Sequence, residues 1–180
     1  VYNASMLVQP DGAIHNYRKM HLFSREHLLF EPGDAPPPVI ETRAGRGGLM
    51  ICFDWIFPET ARLLAPNGAQ IIAHTSNLVL PWCQQAMPVR AMENGVYIVT
   101  VNRVGTEDRP PRPSVRFTGG SVIVAPRGEI IARALAVGTT LLRAEVETRL
   151  SRNKELPSGN ILLAERRPDF YGPVLRPPGA

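Results

Sequence analysis

Lysine is almost missing from this chain: Lys19 and Lys154 are the only two among 20 basic residues. Cysteine is as scarce. Cys52 and Cys83 alone cannot build a disulfide framework or a cysteine-based zinc site. No His-x-x-x-His spacing falls on a predicted helix, so no metal is indicated. No apolar run approaches the roughly 20 residues that span a bilayer, and no basic, apolar, small-residue succession resembles a signal peptide. These absences lead to an expectation of a cytoplasmic protein with no membrane partner. The formal charge is +4 with a pI near 9.5, yet the arginines are scattered among carboxylates and form no run. Nucleic acid requires a basic patch rather than a basic total, so it is not an expected partner.

What is present fits one globular domain over residues 1–180, with residues 157–180 as a proline-rich tail. The composition is 44% hydrophobic and 20% charged, ordinary for a folded protein, and a chain of this size buries roughly two thirds of its unfolded surface. Residues 4–8 and 13–17 read as two strands around the Gln9-Pro10-Asp11-Gly12 turn. After a stiff proline loop, residues 39–42 are extended and residues 45–48 read as a second turn. Residues 48–53 form an apolar run expected of a strand buried on both faces. Pro58 and Glu59 then signal the first turn of a helix over 59–65. Strand 69–74, helix 81–94 and strand 96–101 continue a βαβα alternation. Residues 106–114 read as a polar loop, residues 121–124, 130–134 and 140–147 as three further strands, and residues 147–156 as a short helix. The fold class is therefore α/β.

Cys52 lies where a buried strand gives way to a helix. Backbone N–H groups and a positive helix end can favour a thiolate there. A free cysteine is also among the commonest core residues, so position alone leaves both readings open. Lys19, isolated in an arginine-biased chain, offers a compact ammonium that could face a developing oxyanion, although most lysines are simply solvated. His21, His27 and His74 fall on nearby elements and permit a rival Cys–His mechanism, with His74 as the base. Cys83, on a helix beside Trp82 and Gln84, reads as structural or interfacial.

Four segments, in order, carry a resemblance to a known family. Tyr17-Arg18-Lys19-Met20-His21-Leu22-Phe23, with Glu26 and Phe30-Glu31-Pro32-Gly33-Asp34, resembles the lysine segment of the nitrilase superfamily of carbon–nitrogen hydrolases. The stretch from Gly48 through Cys52-Phe53-Asp54-Trp55-Ile56-Phe57-Pro58-Glu59 is similar to its nucleophile segment. Arg90-Ala91-Met92-Glu93-Asn94, Asn102-Arg103-Val104-Gly105 and Gly119-Gly120-Ser121 resemble its downstream signature, and Arg166-Arg167-Pro168-Asp169-Phe170-Tyr171 its ending.

The resemblance implies a four-layer αββα sandwich and a Glu–Lys–Cys triad that needs no cofactor. Cys52 takes the nucleophile role, Lys19 the lysine role and Glu26 that of a supporting glutamate. Phe53, through its backbone N–H, together with Trp55, His74 and Asn77 is expected to line the substrate and oxyanion site. The family's general-base glutamate belongs to a strand and helix ahead of the first hairpin, and the only acidic residue before Lys19 is Asp11. The sequence is thus expected to be N-terminally incomplete and to turn over weakly as written, since general acid–base help is worth about 10²–10⁴-fold. The implied substrates are small linear amides, carbamoyl compounds or nitriles, with N-carbamoylputrescine-type amidases among the similar enzymes. Trp55 and Ile56 replace arginines found in relatives that cleave N-carbamoyl amino acids. Residues 57–65 and 81–94 would pair copies into a homodimer or larger oligomer. The alternative outside catalysis is a dimerising scaffold of the same fold.

Overall fold

The computed structural model describes residues 1–176. Its centre is a mixed six-stranded sheet in the order β10-β9-β6-β5-β4-β3, made from β3 (Val39–Thr42), β4 (Gly45–Ile51), β5 (Ile71–Ser76), β6 (Tyr97–Asn102), β9 (Val122–Val124) and β10 (Ile130–Arg133). The three middle strands β4, β5 and β6 are parallel, and the flanking pairs are antiparallel. This is a mixed α/β fold. The apolar runs in β4 to β6 exist because both faces of these strands are covered or partly covered.

One face carries helices α1 (Pro58–Leu64) and α2 (Cys83–Asn94). Met50, Ile72, Ile98, Val122 and Val124 point into that layer and meet Leu64, Cys83, Met87 and Ala91 in the larger core. At about 25 cal/mol per Å² of apolar surface removed from water, this interface is the main stabilising element of the chain. The other face receives the hairpin of β1 (Ala4–Val8) and β2 (Ile14–Arg18), where Tyr17 joins Ile40, Leu49 and Ile51 in a second cluster that Leu7 and Ala73 flank. The described residues therefore hold one helix layer on one sheet of the expected αββα arrangement. Among them no helix is long and apolar enough to cross a membrane.

Several local expectations are corrected. Residues 45–48 are not a turn but the start of β4. The turn is Arg43 and Ala44, closed by the Thr42 hydroxyl, which donates to the Gly45 carbonyl at 2.6 Å. Gly48 is in the strand because α1 presses there: a Cβ at this position would sit 2.8 Å from a methyl of Leu64. The polar stretch after Gly105 is a hairpin, β7 (Thr106–Arg109) and β8 (Arg112–Arg116). Its strands are largely exposed, so no buried face imposes the alternation by which a strand is recognised. Residues 140–147 form no strand. They run beside the sheet without a pairing partner, tied at Glu147 to the Tyr97 hydroxyl. The helix expected over 147–156 shrinks to α3 (Arg149–Arg152), because Asn153 turns to extended backbone. The tail makes 3-10 turns at Pro168–Phe170 and Gly172–Leu175, and its last residues, 177–180, lie outside the described residues.

Candidate active site

The parallel strands β4, β5 and β6 end on the same side, and the loops after them open a cleft of about 450 Å³. In open α/β sheets ligands bind beyond the carboxyl ends of the strands. Cys52 follows β4, Ser76 ends β5 and Asn77 follows it, and Asn102 ends β6 and Arg103 follows it; all five line the cleft. Glu26 and Phe23 close it from the segment after β2.

Cys52 is held at φ +42°, a left-handed conformation unusual for a residue with a side chain. Such strain costs on the order of 1–3 kcal/mol and persists only where the surroundings enforce it. Here the Cys52 carbonyl accepts a 2.9 Å hydrogen bond from Nε2 of His74, while the preceding Ile51 N–H donates to Asp54 Oδ2 at 3.0 Å. Cys52 lies at the cleft beside Asn77, and the Asn77 and Phe53 backbones both favour its thiolate. Burial pushes the thiol above its ordinary value. The Asn77 backbone and the charge of Lys19 work against that rise, Glu26 adds to it, and the Phe53 backbone opposes it.

Lys19 is completely buried, and its Nζ sits 2.6 Å from Glu26 Oε2. A buried ammonium is tolerable only when paired and hydrogen-bonded. Glu26 is fixed in turn by the Phe23 N–H at 2.8 Å and by the Asn3 amide at 3.2 Å. Glu26 is thereby occupied as the partner of the lysine.

The structure brings Cys52, Lys19, Glu26, Phe53 and Asn77 together. The side chain of His74 stays outside the cleft, which departs from the expectation for it, while Trp55 borders the small recess beside the cleft together with Cys52, Phe53 and Asn77. Strand periodicity decides His74: Met50, His74 and Thr100 are register partners on the helix face, whereas Ile51, Thr75 and Val101 face the cleft. His74 is 1% exposed, and burial lowers its pKa to about 4. Its Nε2–H is committed to the Cys52 carbonyl, and its Nδ1 accepts from the Thr100 hydroxyl at 3.1 Å. Nε2 also lies 2.9 Å from the Ser76 hydroxyl, so both ring nitrogens are engaged by partners other than the sulfur, which argues against the Cys–His mechanism. Trp55 packs into the helix-side core at the edge of that recess. His27 binds the Ser24 carbonyl on the surface, and His21 stacks on Phe57 at 3.9 Å.

Sequence reasoning did not assign Asn102 and Arg103 a role. The Asn102 side chain accepts from the Leu78 N–H at 2.8 Å and donates to the Gly119 carbonyl at 2.7 Å, so it fixes the loop that carries Asn77 at the cleft. Arg103 lies 4.2 Å above the Phe117 ring and 2.7 Å from Glu107 at the cleft rim. Their position at a parallel strand's end was the available signal. Among the described residues, no group of three or more His, Cys, Asp or Glu could hold a metal ion.

A family model described as carbon-nitrogen hydrolase matches residues 1–153. The chain is 44% identical over 171 residues to a nitrilase of Pyrococcus abyssi, covering 95% of this chain and 63% of that protein. It superimposes with a TM-score of 0.88, at 30% identity, on a carbon-nitrogen hydrolase from Helicobacter pylori, covering 97% of this chain and 66% of that one. An amidase from Nesterenkonia, caught after Michael addition of acrylamide to its active-site cysteine, matches with a TM-score of 0.68 and 30% identity over 74% of this chain and 52% of its own. The chain thus spans less than two thirds of the length of these relatives. On the match of the family model together with the likeness in sequence and structure, the chain belongs to the carbon–nitrogen hydrolase family.

Proposed function

We propose that the cleft hydrolyses the C–N bond of a small linear amide, carbamoyl compound or nitrile through a covalent adduct on Cys52. The observation that carries this reading is the convergence at one cleft of a strained cysteine, a wholly buried lysine whose charge favours the thiolate, and the Glu26 carboxylate that pairs with that lysine. In an amide substrate the Cys52 thiolate attacks the carbonyl carbon. The carbonyl electrons move onto oxygen, where Lys19 and the Phe53 N–H offset the new negative charge. Collapse expels the amine nitrogen, protonated to ammonia, and leaves a thioester that water cleaves to the acid and the free thiol. A nitrile enters the same route as a thioimidate.

The thiol is raised, Glu26 is taken by Lys19, and both ring nitrogens of His74 are engaged by other partners, so none of these groups readily accepts the Cys52 proton. Turnover at neutral pH therefore requires one further base at the cleft, and residues 1–176 by themselves are expected to react slowly. The test is ammonia release from a panel of amides, carbamoyl amines and nitriles, with intact-mass detection of the adduct. Cys52→Ala should abolish both signals; equal ammonia release from that variant would reject the reading.

A further inference from the structure

Asp54 is completely buried, yet none of the roles above uses it. Its carboxylate gathers four hydrogen bonds from two separate stretches of chain. Oδ2 accepts from the Tyr17 hydroxyl at 2.8 Å and from the Ile51 N–H at 3.0 Å. Oδ1 lies 2.9 Å from Nδ1 of His21 and accepts from the His21 N–H at 3.3 Å. Tyr17 and His21 stand two residues to either side of Lys19, and Ile51 immediately precedes Cys52. The charged group thus bridges the segment that carries the ammonium and the turn that carries the thiol. The Tyr17 ring is buried, and its hydroxyl also receives the Met20 N–H at 3.4 Å, so the lysine segment has little freedom while this contact stands.

We propose that Asp54 is a positioning residue that holds Lys19 against Cys52 by binding Tyr17 and His21 on one side and Ile51 on the other. The proposal rests on the reading of Lys19 and Cys52 as the reacting pair. Placing a cation beside the thiol lowers its pKa by about 1–3 units, and the thiolate is the reactive form. Losing that placement should therefore slow the sulfur at neutral pH. The sign is informative, because deleting the negative charge of Asp54 would on simple electrostatic grounds favour the thiolate and speed it.

The experiment is the rate of Cys52 alkylation by iodoacetamide at pH 7 on the chain as it stands. The thiolate displaces iodide, and peptide mass mapping separates Cys52 from the buried Cys83. Lys19→Gln should slow the reaction about tenfold. Asp54→Asn, which cannot satisfy all four donors, should slow it by a similar factor. The double variant should be no slower than Lys19→Gln alone. If Asp54→Asn leaves the rate unchanged, speeds it, or multiplies the effect of Lys19→Gln, the positioning role is overturned while the reacting pair stands. If Lys19→Gln has no effect, the reacting pair itself fails. Should Asp54→Asn not fold by circular dichroism, Tyr17→Phe removes only one of the four contacts. A slowing of about threefold that vanishes in the Lys19→Gln background is then the expected result, and an unchanged or independent rate overturns the proposal.

Discussion

His74 provides the most quantitative expectation. Its folded pKa of about 4, against an ordinary 6.5, arises first from burial and is only partly countered by the hydrogen bond to the Cys52 carbonyl. Above pH 6.5 the residue is neutral in both folded and unfolded chains and contributes no pH dependence. Between 6.5 and 4 the unfolded chain takes up a proton that the folded chain refuses, so stability falls as pH falls. Below 4 both forms are protonated and the loss is complete. A gap of about 2.5 pH units at about 1.4 kcal/mol each amounts to about 3 kcal/mol, a sizeable part of the 5–15 kcal/mol typical of a domain. His74→Gln keeps an N–H for the Cys52 carbonyl and an oxygen for Thr100, but it does not titrate. Urea unfolding of both proteins at pH 7 and pH 5 isolates the residue, since every carboxylate titrates alike in the two. The native protein should lose about 2 kcal/mol more than the variant over that interval. Parallel losses, within about 0.5 kcal/mol, would refute the assignment of His74 as a buried neutral group.

The strain at Cys52 and the packing at Gly48 give two further tests. At φ +42°, Cys52→Gly should be more stable than Cys52→Ala by about 1 kcal/mol in thermal or urea unfolding, because glycine alone adopts this region freely; the reverse order would mean that the turn relaxes. Gly48→Ala forces a methyl to 2.8 Å from Leu64 and should cost about 1–3 kcal/mol, whereas the nearest neighbours of a Cβ at Gly47 are 3.9 Å away and Gly47→Ala should be nearly neutral. Equal melting temperatures for the two alanine variants would show that α1 can shift away from β4.

Much of the scaffold was legible because its signals are local. The apolar runs of β4, β5 and β6, the proline and glutamate that begin α1, and the turn between β1 and β2 each occupy a few consecutive residues. Cys52 and Lys19 were visible for the same reason: one stands at a strand-to-helix junction and the other alone among arginines. The Thr106–Arg116 hairpin escaped notice because its charged strands bury no face, and residues 140–147 looked like a strand because alternation cannot reveal whether a partner strand is there. His74 shows how finely the site depends on register: one residue along β5, Thr75 faces the cleft, while His74 faces the helices.

Residue order alone therefore determined the α/β alternation and marked Cys52 and Lys19 as the candidate pair. Only the folded structure decided which side chains meet there. Pairing of Lys19 with Glu26, the withdrawal of His74 from the thiol, and the contacts of Asp54 with Tyr17 and His21 depend on strand register and on how the hairpin lies over the sheet. The physical reason is range: helix and turn preferences act over a few residues, whereas a buried charge is satisfied by whatever donors the packed core brings within hydrogen-bonding distance.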